Sequence, residues 1–156
     1  MSQPDPDVDD SPEVITDALL TASRLLVAIS ARSIAEVDET ITIPQFRTLV
    51  VLSAEGPLNL AALAARLQVQ PSTTGRMVDR LVAAGLIERR PNPASRREVV
   101  IDLSRRGKAV VRSVTDRRRD QIAAVVSRLR PVDRRGLVRA LTAFSAAGQE
   151  PPAAPS

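Results

Sequence analysis

Between residues 70 and 90 the chain reads QPSTTGRMVDRLVAAGLIERR. Three hydroxyls (Ser72, Thr73, Thr74) are followed by two guanidinium groups at helical spacing (Arg76, Arg80), and Arg89 and Arg90 close the run. A turn-like NPAS then leads to Arg96 and Arg97. Small hydroxyls and arginine forks are hydrogen-bonding groups that suit an anionic surface, since a guanidinium can grip a phosphate or the O6/N7 edge of a guanine with two parallel bonds. The chemistry they offer is recognition.

Catalysis is poorly provided for. The 156 residues contain no histidine, cysteine, tyrosine or tryptophan, which removes the commonest general base, the commonest metal ligands and every thiol reaction. Carboxylate pairs such as Asp9-Asp10 and Asp38-Glu39 are sequence neighbours with no positioned partner, and they read as solvated charge. Gly107-Lys108 resembles the end of a phosphate loop, but Asp102 stands where that loop needs its first glycine. A non-enzymatic protein with no cofactor is expected.

Charge is strongly divided along the chain. Residues 1–40 hold nine acids and two arginines, whereas residues 72–119 hold thirteen basic residues and five acids. Lys108 is the single lysine among 22 basic residues, so codon bias explains part of the arginine excess, but not its placement. A one-sided basic segment is the footprint of a nucleic-acid partner. No uninterrupted apolar run approaches the ~20 residues of a membrane span, and the acidic start MSQPDPDVDD lacks the basic region of a signal peptide, so a cytoplasmic chain with no membrane partner is expected.

The elements that would position these groups are readable from caps and periodicity. Ser11-Pro12-Glu13 is a helix start, and Ile15, Leu19, Ala22, Leu26, Ile29 and Ile34 keep a helical period to about Asp38. Pro44 opens a second helix carrying Phe46, Leu49, Val50 and Ser53, which stops at Glu55-Gly56-Pro57. Asn59 caps a third helix with Leu60, Leu63, Ala64 and Leu67, and QVQP links it to a fourth that ends at Gly85. LIERRP is a short strand, NPASR a turn, and Val99, Ile101 and Leu103 alternate with Glu98, Val100 and Asp102 as in a half-buried strand. Ser104 caps the next helix up to Arg130-Pro131, and Val132 to Ala147 reads as a last amphipathic helix. Residues 1–11 and 148–156 lack periodicity and read as disordered tails.

At 100° per residue, Thr74, Met77, Val78, Leu81 and Ala84 fall on one side of the fourth helix, and Ser72, Arg76, Asp79, Arg80 and Ala83 on the other. A helix lying in a DNA major groove needs this division, with Thr73 and Gly75 letting the backbone come close. The third and fourth helices have the lengths of a helix-turn-helix, and the hairpin behind them makes it winged. A basic wing also suits an acidic protein surface, so a protein-binding winged helix is the alternative; steep salt dependence and sequence specificity distinguish DNA.

The run VDRL, GLIERR, NPASRR, LSRRG, between Val78 and Gly107, resembles the MarR family of winged-helix transcriptional regulators, and the element order extends that resemblance over roughly residues 12–147. It implies a mainly helical fold with a small β-hairpin wing: a winged lobe at 44–104 and dimerisation helices at 12–38 and 108–147. It further implies a homodimer on a near-palindromic double-stranded operator, a repressor's role, and release from DNA by a small amphipathic or phenolic effector. Ser72, Thr73, Thr74, Arg76 and Arg80 would lie on the recognition helix, and Arg89, Arg90, Ser95, Arg96 and Arg97 on the wing, with Arg97 entering the minor groove. Asn92 and Ser95 stand where the family usually carries aspartates, so the carboxylate that commonly steadies the wing arginine is missing.

Overall fold

The computed structural model describes residues 10–150. The elements run α1 (Pro12–Ala35), α2 (Ile43–Glu55), α3 (Leu60–Leu67), α4 (Pro71–Ala83), β1 (Ile87–Asn92), β2 (Ser95–Leu103), α5 (Arg105–Val126), α6 (Pro131–Arg134) and α7 (Leu137–Ala147). Most of the two expected tails lies outside the described residues. Where they overlap, the chain is ordered by local bonds: Ser11 caps α1, accepting from Val14 N at 3.4 Å, and the amides of Gly148, Gln149 and Glu150 donate to carbonyls of α7.

Short polar caps explain most of the boundaries. Thr42 and Gln45 form a reciprocal capping box at the start of α2, Asn59 Oδ1 accepts from Ala62 N at 2.8 Å, and Ser104 Oγ accepts from Gly107 N at 2.9 Å. Each satisfies an amide that the first helical turn leaves unpaired, an effect worth about 1 kcal/mol per cap. The final helix departs from expectation. Val132 to Ala147 is broken at Arg135 and Gly136, because Gly136 takes a left-handed φ of 76° that a continuous helix cannot contain.

One core joins the middle elements. Phe46, Leu49 and Leu52 of α2 meet Leu63 and Leu67 of α3, Val78 and Leu81 of α4, Ile87 and Ile101 of the hairpin, and Val110, Val111 and Val114 of α5. Fully burying each large aliphatic side chain contributes roughly 1.5–3 kcal/mol. Of the residues that marked α2 in the sequence, Phe46 and Leu49 are buried and Val50 and Ser53 exposed, and Thr48 and Leu52 complete the buried face. The Thr48 hydroxyl sits 3.0 Å from Pro44 O and 2.8 Å from Met77 Sδ, tying α2 to α4.

β1 and β2 form an antiparallel pair that sets Ile87 opposite Leu103 and Arg89 opposite Ile101, with an irregularity at Pro91/Asn92. Leu58 adds an isolated bridge on the far side of β2, exchanging bonds with Ile101 at 3.0 and 2.7 Å. The expected alternation along β2 is not kept. Val99 is exposed, because the outer hairpin leaves the core and has no apolar surface to lie on, and at the inner end Asp102 is buried along with Ile101 and Leu103, its carboxylate accepting from Leu103 N at 2.8 Å and facing Arg90.

α1 behaves differently from the lobe. Only Ile29, Ser33 and Ile34 are buried, and Val14, Ile15, Leu20, Leu25, Leu26 and Val27 are exposed. Contrary to the reading from uninterrupted runs, the helix is by length and composition long and apolar enough to cross a membrane, its charges being too sparse to lower its hydropathy. α7 buries none of its residues and exposes Val138, Leu141 and Phe144.

Candidate nucleic-acid interface

The helix α4 is held from one side. Thr74, Val78 and Leu81 are buried, whereas Ser72, Thr73, Arg76 and Arg80 are exposed and have no side-chain hydrogen bond or ion pair among the described residues. One expectation is corrected here. Thr74 is fully buried, and its hydroxyl donates to Gln70 O at 3.1 Å, so it fixes the first turn and offers nothing outward. Gly75 also turns inward, since a Cβ there would sit 3.8 Å from Leu60 Cδ2 of α3. Unlike α2, α3 and α5, α4 has no side-chain cap, and Pro71 occupies its first turn. The amides of Ser72 and Thr73 are therefore open to an external acceptor such as a phosphate.

The arginines of the hairpin divide into tethered and free groups. Arg89 pairs with Asp79 of α4 and locks the base of the wing to that helix. Arg90 points to the opposite face of β1, where Glu88 Oε2 lies 3.0 Å and Asp102 Oδ2 3.6 Å from its guanidinium. Both were read from sequence as contacts for a partner; in the folded chain both have internal partners. Arg96 and Arg97 are exposed and free of any partner among the described residues, and Ser95 is half-buried beside them. No carboxylate among the described residues steadies Arg97.

The wing is steadied by Glu98, a residue that sequence reasoning treated only as one step in an alternation. Its carboxylate accepts from Asn59 Nδ2 and, at 2.9 Å, from Asn92 Nδ2, while Asn92 Oδ1 accepts from Ala94 N at 3.0 Å. Asn59 thus caps α3 with its oxygen and holds the wing with its nitrogen. An aspartate at position 92 would face Glu98 with a like charge, so asparagine is the residue this arrangement requires. The hydrogen bond from Asn59, with that from Asn92, holds the Glu98 carboxyl below its ordinary pKa. The stabilisation is therefore present above the ordinary glutamate value and lost as pH falls through the lowered one. Glu98→Ala is expected to speed amide exchange across residues 92–97 while moving the thermal midpoint by no more than about 2 °C. Unchanged exchange would mean that the carboxylate does not hold the wing.

Arg106 ties the lobe to the long helices, and Arg117 ties those helices to each other. Arg106 donates to Ala84 O at 2.7 Å and to Asp38 Oδ2 at 3.2 Å, and Arg117 donates to Glu36 Oε2 at 2.8 Å. The Asp38 carboxyl is held below its ordinary pKa by the Thr40 hydroxyl and amide, with Arg106 adding to the effect. Among the described residues no cluster of three or more potential metal ligands is present.

A MarR family model matches residues 41–99, the span from the start of α2 to the middle of β2. The crystal structure of RV1404 from Mycobacterium tuberculosis is 66% identical, with a TM-score of 0.85, covering 94% of this chain and all of that one. An HTH-type transcriptional regulator of Mycobacterium leprae is 25% identical over 132 residues, 85% of this chain and 90% of its own. The HTH-type transcriptional repressor NicR of Pseudomonas putida is 35% identical over 74 residues, 47% of each chain.

Proposed function

As the chain belongs to the MarR family of transcriptional regulators, we propose that it binds a near-palindromic double-stranded operator as a homodimer and represses the adjoining genes in the cytoplasm. The observation that carries this reading is the two-sidedness of α4: its inner face is locked by Thr74, Val78 and Leu81, and its outer face presents Ser72, Thr73, Arg76 and Arg80 unpaired among the described residues. The free Arg96 and Arg97 extend the same cationic surface onto the wing. Repression is the role carried by the NicR relative. Residues 44–104 supply the DNA-binding lobe, and residues 12–38 and 108–147 the dimer contacts, whose exposed apolar side chains need a cover.

Release by a small amphipathic or phenolic molecule fits the way the lobe is attached. A ligand wedged between the dimerisation helices and the lobe would strain the Arg106 bridge from Ala84 O to Asp38 and so turn α4 relative to its partner.

Arg76→Ala tests the reading on a labelled duplex from the protein's own upstream region, titrated at two salt concentrations with and without competitor DNA. The variant is expected to lose about 1–3 kcal/mol on the operator and much less on random duplex, because a base contact carries sequence information. Equal loss on both would reassign Arg76 to a phosphate. Absence of salt-dependent binding by the unsubstituted protein would overturn the DNA reading itself and favour an acidic protein partner.

A further inference from the structure

On the face of the hairpin turned away from α4 lies an open groove between β1 and the first turns of α5, lined by Glu88, Arg90, Leu103, Arg105, Lys108 and Arg112 among others. The strand register fixes its orientation. Arg89 opposes Ile101 and turns inward to Asp79, so Arg90, its neighbour, must turn outward, and Glu88 and Asp102 hold it there. Arg105, Lys108 and Arg112 follow at i, i+3 and i+7 on one face of α5, all exposed and without a partner among the described residues. Cations in the first turns of a helix oppose its dipole, so helix stability does not account for them.

We propose that this groove binds the phosphate backbone of DNA just outside the half-site read by α4 and the wing, a contact that rests on the DNA-binding function proposed above. Three features favour a continuous polyanion over a small phosphorylated ligand. The lining cations are exposed, so a small ion held there would remain screened by water. The charges are arranged in a row, and seven residues of helix rise about 10 Å, the axial length of roughly three base steps. The groove also belongs to the same hairpin as the proposed wing contact, since β1, which lines it, pairs with β2, which carries Arg96 and Arg97. Lys108, the single lysine of the chain, lies in the middle of this row.

The test is the triple variant Arg105→Ala, Lys108→Ala, Arg112→Ala on the footprinted operator prepared as a core duplex and as one extended by about ten base pairs on each side. The unsubstituted protein is expected to bind the extended duplex more tightly and with a steeper salt dependence. The variant should match it on the core duplex and lose the gain from the flanks. If three phosphates are engaged, the flank advantage should shrink roughly 40-fold between 50 and 200 mM salt, from a slope of about 0.9 per phosphate. An equal loss on both duplexes, or no gain from the flanks in the unsubstituted protein, overturns the proposal while leaving operator binding intact. Binding of inorganic phosphate by the unsubstituted protein alone, without a flank effect, would reassign the groove to a small phosphate ligand. Failure to bind either duplex would overturn the operator reading as well.

Discussion

Gly107→Ala is expected to remove a large share of the protein's stability. A Cβ at this position would lie 2.0 Å from Leu86 O and 3.3 Å from Leu103 Cδ2, and the atom in the way is backbone, which has no rotamer to retreat into. The same few residues form a knot. Ser104 Oγ donates to Gly85 O at 2.6 Å and accepts from Gly107 N at 2.9 Å, and Ser104 N donates to Leu86 O at 3.1 Å. Moving α5 away by the required ångström or so would loosen the bonds that join the end of α4, the start of β1 and the start of α5. Overpacking of this kind costs about 3 kcal/mol or more when backbone must move, against a total stability of roughly 5–15 kcal/mol for a small domain. Operator binding should fall with it, because α4 and the wing are oriented through this junction. Urea or thermal unfolding measures the effect, and a midpoint within about 2 °C of the unsubstituted protein would contradict it. Gly136→Ala provides the contrast: nothing lies within 4 Å, so only its left-handed φ is strained, at a cost of roughly 1–2 kcal/mol.

Phe144→Glu is expected to separate the proposed dimer with little effect on the fold of each subunit. Phe144 is 56% exposed, Leu141 47% and Val138 79%, and α7 contributes no buried residue to the core. Covering the exposed half of Phe144 removes on the order of 100 Å² from water. In a two-fold dimer each substitution enters the interface twice, so the loss of apolar burial and the cost of a buried carboxylate are both doubled. Sedimentation should show monomers at micromolar concentration, with an unchanged helical signal. Operator affinity should fall by about a hundredfold or more, since one bound lobe no longer raises the local concentration of the other. A variant that remains dimeric would remove α7 from the interface and leave the exposed face of α1, with Leu20, Leu25 and Val27, as the surface to test next.

What the sequence determined by itself was local. The caps Ser11, Asn59 and Ser104, the stops at Gly56 and Gly85, and the inner face of α4 follow from turn chemistry and a 3.6-residue period, which act over a few neighbouring residues. The winged-helix order and the exposed positions of Ser72, Thr73, Arg76, Arg80, Arg96 and Arg97 were readable for the same reason. Gly136 carried a signal that the apolar period of residues 132–147 masked. Tertiary structure alone decided which of the arginines are free. Arg89 meets Asp79, Arg90 meets Asp102, Arg106 meets Asp38, and Asn59 reaches Glu98, because the folded backbone brings these separated side chains within bonding distance. No periodicity records such pairs: each depends on where two distant segments come to lie, and that is fixed only when the common core closes around Leu49, Val78, Ile101 and Val114.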